Sequence, residues 1–259
     1  MKIHGTATGG ALSHKDFGVA FGGAGGVTTQ ITINSDNFSQ TGSLTGWAID
    51  SVNEKATATW NRNTTVQSIW CDLVDILGEA IDTEWNLRFH QKITGDFSDT
   101  TGVGCYLING LYNQDGSFSS HGASALSGHT FAAEAYPDGK DPQKMWPFVD
   151  DATAVESGSN RTLPTVAADT WSANDAEFYI EVIRDGNTMT MNMYSDSSYS
   201  TLISNGTASA TGTMTTDTIT HLILFHNYNY AVSSFNGAAS FEIDSLYFNN
   251  GSTDAGAPF

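Results

Sequence analysis

"FYIEVIRDGNTMTMNMY", residues 178–194, decides the fold class. Both halves alternate. Phe178, Ile180 and Val182 are interleaved with Tyr179, Glu181 and Ile183, and Met189, Met191 and Met193 with Thr188, Thr190 and Asn192. A period of two marks a strand with one buried face. Between the halves, Asp185-Gly186 supplies the positive-φ turn that antiparallel strands require. The stretch predicts a hairpin with its methionine stripe in a core.

The rest of the chain from Val27 reads the same way. Strands are predicted at "VTTQITI" (27–33), "ATATW" (56–60), "QSIWCDL" (67–73), "EWNLRFHQKI" (84–93) and "VGCYLING" (103–110). "HLILFHN" (221–227) and "SFEIDSLYF" (240–248) complete the set. Most are alternating or short apolar runs bounded by Gly, Asn, Asp or Ser. "DILGEAI" (75–81) predicts one helical turn, and residues 112–165 read as long, polar and irregular. The organisation expected is an arm over 1–26, one all-β domain over 27–250 and a tail over 251–259.

Composition narrows the function classes. With 14 Phe, 9 Tyr and 6 Trp in 259 residues there is ample material for a packed core. The net charge of −18 argues against a nucleic-acid partner, because nothing neutralises phosphates. It suits a solvated acidic surface, saline surroundings or calcium. No run of about 18 apolar residues offers a membrane span. The opening residues lack the apolar core of a secretory signal, so a surface location implies another export route or release by lysis. Cys71 and Cys105 have no CxxC spacing, which disfavours zinc and leaves two buried thiols or one disulfide.

The arm is Gly-, Ala- and Thr-rich and ends in the hinge "GGAGG" (22–26), yet it carries Leu12, Phe17, Val19 and Phe21. Those side chains need something to bury against, either the domain itself or a neighbouring copy, so residues 1–26 are expected to support a homo-oligomer or larger assembly.

Three segments together resemble the concanavalin A-like lectin/glucanase superfamily, in its laminin-G-like jelly-roll branch. They are "NFSQTGSLTGWAIDSVNEKATATW", "CDLVDILGEAIDTEWNLRFHQKITG" with its D-T-x-W-x-L-R-F pattern, and the 178–194 hairpin with "HLILFHNY" and the closing "FEIDSLYF". The likeness covers about residues 34–250. It implies an antiparallel jelly-roll β-sandwich of two stacked sheets, one of them concave. It also implies company among glycan-binding proteins, glycosidases, and surface or virion proteins of marine microbes and their viruses. Fold alone does not choose among these.

The closing strand decides the enzymatic reading. Glucanases of the superfamily carry E-x-D-x-E or E-x-D-x-x-E on one strand, whose side chains at i, i+2 and i+4 share a face. Glu242 and Asp244 match the first two acids, but Leu246 or Tyr247 stands at the third. Neither can protonate a leaving group. The simpler expectation is a core-facing set of Phe241, Ile243 and Tyr247 with both acids outward. No nucleophile elbow, phosphate loop, zinc helix or dinucleotide fingerprint appears.

Sugars bind through flat aromatic faces and planar hydrogen-bonding groups. Two stretches offer both. "FHNYNY" contributes His226, Asn227, Tyr228, Asn229 and Tyr230, and the loop "AYPDGKDPQKMW" contributes Tyr136, Asp138, Asp141 and Trp146. Calcium candidates are the acid-rich loops at 95–100, 137–141 and 149–151. The sequence thus points to a non-catalytic, glycan-recognising surface or virion domain. Its rivals are a structural assembly subunit without a small ligand, and a glycoside hydrolase or lyase with an unfamiliar site.

Overall fold

The computed structural model describes residues 27–42, 45–60, 67–95, 107–113, 115–116, 128–136, 144–151, 175–211, 219–227 and 239–254. The strands in chain order begin with β1 (Val27–Gln30), β2 (Phe38–Thr41), β3 (Ala48–Asp50), β4 (Lys55–Trp60) and β5 (Ser68–Asp72). After the single turn of α1 (Leu73–Leu77) come β6 (Glu84–Gly95), β7 (Leu107–Tyr112), β8 (Gly128–Tyr136) and β9 (Lys144–Asp151). Then follow β10 (Asp175–Asp185), β11 (Thr188–Tyr194), β12 (Leu202–Thr211), β13 (His221–Asn227) and β14 (Ala239–Asn250).

They form two antiparallel sheets. The larger runs β12-β11-β10-β6-β14-β4-β3, and the smaller β2-β5-β13-β7-β8-β9. In the larger sheet β4 pairs with Ala239–Ile243 of β14, while β1 pairs with Tyr247–Asn250. The 178–194 hairpin forms as predicted, with Asp185 opposite Thr188 and Gly186 at φ +56°.

The core lies between the sheets. Phe178, Ile180, Val182, Met189, Met191, Leu87, Phe89 and Ile243 face it from the large sheet, and Ile69, Cys71, Leu111, Leu222 and Leu224 from the small one; all are fully buried. Burying such a side chain stabilises by about 1.5–3 kcal/mol, so the alternation that the sequence carries is also what holds the sheets together. Trp85 stacks on Phe248 with centroids 5.8 Å apart. A second apolar cluster lies on the far side of the small sheet, where Trp70 packs on Tyr112 and Ile223. Gly116 passes so close over Trp70 that a β-carbon there would stand 2.2 Å from the ring. Its carbonyl accepts hydrogen bonds from Ser68 Oγ (2.8 Å) and Thr41 Oγ1 (3.3 Å).

The helical turn is capped at both ends. Asp72 accepts from the Asp75 N–H, and Gly78, at φ +73°, donates to Val74 O. Cys71 is a buried free thiol whose burial pushes its pKa up, while Cys105 lies outside the described residues, as does the arm.

Several expectations need correction. The 112–165 stretch is not wholly irregular, because it contains β8 and β9. Pro147 argues against a strand, but β9 is the last strand of its sheet, where a missing N–H is tolerated. Consequently Trp146 belongs to a strand rather than a loop, and residues 149–151 end that strand. β12 went unseen because "LISNGTASAT" has few large apolar residues; it too is an edge strand. β1 ends at Gln30, although Ile31 and Ile33 still bury. Tyr247 is not a core residue, because the strand shifts phase before it. β14 has a bulge between Asp244 and Tyr247, with Ser245 at φ +51°. Leu246 and Phe248 therefore turn inward instead.

Candidate functional site

The outer face of the large sheet is built by the same alternation that builds the core. Every second residue of β6, β10, β11 and β14 points away from the interior, and the register lines these residues up in rows. Tyr194, Tyr179, His90 and Asp244 form one row. Asn192, Glu181, Arg88 and Tyr247 form the next. Glu177, Lys92, Glu242 and Thr57 form a third. The bulge at Ser245 puts Tyr247 into its row.

Glu181 anchors the second row. It is only 5% exposed although it lies on an outer face. Its Oε1 accepts from Asn86 Nδ2 (3.0 Å), Arg88 Nε (3.0 Å) and a terminal Arg88 nitrogen (2.8 Å). Its Oε2 accepts from Tyr194 Oη (2.9 Å) and Asn192 Nδ2 (3.4 Å). Burial alone would raise this carboxyl, but the Asn86 hydrogen bond, the Arg88 charge and the remaining donors outweigh it and hold the carboxyl below its usual range. Asn86 also donates to Thr253 O, so residues just past β14 close over that end of the face.

His90 organises the first row. Its Nδ1 is 3.1 Å from both oxygens of Asp244, and its Nε2 is 2.8 Å from Glu177 Oε1, an ion-pair contact without hydrogen-bond alignment. Tyr179 stacks on the imidazole at 4.8 Å between centroids and 26° between planes. Burial works to lower the His90 pKa, but Asp244 and Glu177 raise it further, so the net shift is upward. Asp244 is held down, since the His90 hydrogen bond overcomes the effect of burial. In the third row Glu242 binds Lys55 at 2.7 Å.

Tyr199 completes the surface from the turn after β11. Asp196 holds that turn by accepting from the N–H groups of Ser198, Ser200 and Thr201. Tyr199, at φ +53°, meets Tyr179 and Tyr194 edge-on at 6.0 and 5.6 Å. The Arg88 guanidinium lies 4.3 Å from its ring centre. Burial pushes Tyr194 up to about 12 and also raises Tyr179, Tyr199 and Tyr247.

Four of the binding residues singled out from sequence belong to strands of the smaller sheet. His226 and Asn227 end β13, Tyr136 ends β8 and Trp146 belongs to β9, but their side chains are outside the described residues, as are Tyr228, Asn229, Tyr230, Asp138 and Asp141 entirely. The chain ends that bound them, Asn227 with Ala239 and Tyr136 with Lys144, are strand termini. Of the expected pair, Glu242 and Asp244 do join the outer face. Arg88, His90, Asn192, Tyr194 and Tyr199 were missed. The available signal was that the outward half of each alternation carries Arg, His, Glu and Tyr rather than Thr and Lys alone. Among the described residues no three His, Cys, Asp or Glu side chains come together to hold a metal ion, and of the expected calcium loops residues 96–100 and 137–141 lie outside the described residues. Nor is any described helix long and apolar enough to cross a membrane.

No protein-family profile matches the sequence, and no curated protein sequence does either. Solved structures do match. The carbohydrate recognition domain of Emp47p is 14% identical with a TM-score of 0.52, covering 86% of this chain and 95% of that one. The exoplasmic/lumenal domain of VIP36, in a form bound to Ca2+ and Man3GlcNAc, is 14% identical with a TM-score of 0.52, covering 85% and 88%. Lectin II from Ulex europaeus is 15% identical with a TM-score of 0.51, covering 87% and 99%. The chain therefore has a lectin-like β-sandwich fold. That fold is the concanavalin A-like jelly roll.

Proposed function

We propose that this chain is a non-catalytic glycan-recognising domain, displayed on a cell or virion surface, whose ligand lies on the outer face of the large sheet. The observation that carries this reading is the Glu181 network. It fixes Arg88, Asn192 and Tyr194 in place and sets Arg88 beneath Tyr199. Flat aromatic rings beside immobilised donors and acceptors suit a saccharide, and little ordering entropy remains to be lost on binding. The likeness to carbohydrate-recognition folds supports the same reading.

The electrostatics of Glu181 and Asp244 favour binding over glycoside hydrolysis. Hydrolysis needs a carboxylic acid that keeps its proton. Both carboxyls are held below their usual range, so neither suits that role. Glycan-array screening followed by calorimetry on the strongest hit tests the proposal. Saturable binding that competes with free sugar is expected, and polysaccharide cleavage by the same protein would refute it.

Assembly is a separate proposal for residues 1–26. Described strands begin only at Val27, beside β14, so a chain starting there keeps every described strand. Light scattering should show a lower oligomer order for the truncated protein than for the full chain. Equal masses would end the assembly idea.

A further inference from the structure

At the centre of the outer face four cationic side chains meet four carboxylates, with Glu84 and Asp185 adding two more acids at one end. Lys55 pairs with Glu242 at 2.7 Å, Arg88 with Glu181 at 2.8 Å, and His90 with Glu177 at 2.8 Å and Asp244 at 3.1 Å. Lys92 stands in register between Glu177 on one neighbouring strand and Glu242 on the other. With His90 protonated the eight groups sum to zero, and with it neutral to −1. Outside this patch the chain is strongly acidic, at −18 overall.

From this matching we infer that the ligand is an uncharged glycan, not a uronate or sulfated polysaccharide. The inference rests on the glycan-binding reading above. An anionic sugar could take the edge of Arg88 that faces Glu181 only by displacing that carboxylate. That would leave a nearly fully buried carboxylate without its counter-charge. Approaching His90, it would meet Glu177 and Asp244, which already occupy both ring nitrogens. The long-range field adds repulsion, since a protein of this charge repels polyanions. A neutral sugar meets none of these costs. Each hydroxyl both donates and accepts, and each ion pair presents a donor and an acceptor side by side. The tyrosine rings offer faces to the apolar side of a pyranose.

The test uses the full chain and neutral hexose, alginate and sulfated galactan oligosaccharides of equal length, titrated at low and at high salt. Binding of a neutral oligosaccharide that persists at high salt is expected, with none to the two polyanions. Tighter binding of either polyanion, weakening with salt, would overturn this inference while leaving glycan recognition standing. Binding of no oligosaccharide would remove both. A Glu177→Gln variant adds an independent arm. Glu177 is half-exposed, so the fold should survive its loss, and the patch then carries one uncompensated positive charge at about pH 6. This variant should gain measurable alginate binding. If it gains none, charge matching is not what excludes polyanions, and the inference fails.

Discussion

Asp244 and Tyr247 stand three positions apart on β14, yet their side chains share one face of the sheet. Asp244 lies opposite His90 and Tyr247 opposite Arg88, two residues apart on β6. The bulge at Ser245 absorbs the extra residue. It lets Leu246 and Phe248 enter the core while adding a tyrosine to the polar face. One backbone irregularity thus serves both packing and the candidate site.

That bulge can be probed directly. Ser245 adopts a left-handed conformation that β-branched residues tolerate poorly. Ser245→Val should destabilise the protein by about 1–2 kcal/mol, read as a lower urea midpoint at unchanged slope. An unchanged midpoint would mean that the strand can slip past the bulge without cost.

The core alternation makes a second, larger prediction. Ile180 is fully buried between Phe89 on β6 and Met193 on β11. Ile180→Ala should cost about 2–4 kcal/mol, with Val182→Ala at the lower end because it loses fewer methyl groups. A pair of unaltered melts would contradict the inward orientation of this strand.

Much of this was legible in the sequence, and the limits have physical causes. A strand buried on one face announces itself by period-two alternation, so the Phe178–Met193 hairpin and the "EWNLRFHQKI" strand could be read directly. Edge strands bury less and need less apolar material, so β9 with its Pro147 and β12 with its Gly206 left no such signal. The bulge hid Tyr247, because alternation predicts side-chain direction only while the register is unbroken. The polar face was hidden for a different reason. His90, Glu177 and Asp244 belong to three strands that are far apart in sequence, and only strand pairing brings them together.

Glu181 should be costly to alter. Glu181→Gln keeps the shape but leaves the Arg88 charge, itself largely buried, with a neutral acceptor. Breaking a buried pair on one side destabilises by about 3 kcal/mol. Chemical denaturation measures this, and a loss below about 1 kcal/mol would show that solvent already screens the network.

The His90–Asp244 pair should give stability a pH signature. The folded pKa of His90 lies above its reference value of 6.5, so folding favours the protonated ring. That contribution is complete below about pH 6.5 and fades as pH rises through the folded value. Asp244 behaves oppositely. Its folded pKa lies below 3.8, so its contribution is complete above about pH 3.8 and is lost as pH falls through the folded value. A double-mutant cycle with His90→Asn and Asp244→Asn should therefore show its greatest coupling between about pH 4 and 6.5. Coupling that stays constant from acid to alkaline pH would show that the pair carries no charge interaction.

The last prediction places the ligand. Two aromatic regions compete: Tyr199 on the sheet face, and Tyr228 in the stretch that follows β13. If the sugar stacks on the face, Tyr199→Ala should weaken binding by about 1–2 kcal/mol, a loss of roughly five- to thirtyfold in affinity. Tyr228→Ala should then leave affinity unchanged. Tyr199 also packs on Tyr179 and Tyr194, so part of the loss could come from disorder in those rings. Tyr199→Phe separates the causes, because it keeps the ring and its packing and removes only the hydroxyl. Affinity retained in the Phe variant and lost in the Ala variant, with thermal midpoints close together, would mark the ring face as the contact. The reverse pattern, in which Tyr228→Ala abolishes binding and Tyr199→Ala does not, would move the site to the strand ends and leave the sheet face a structural polar network.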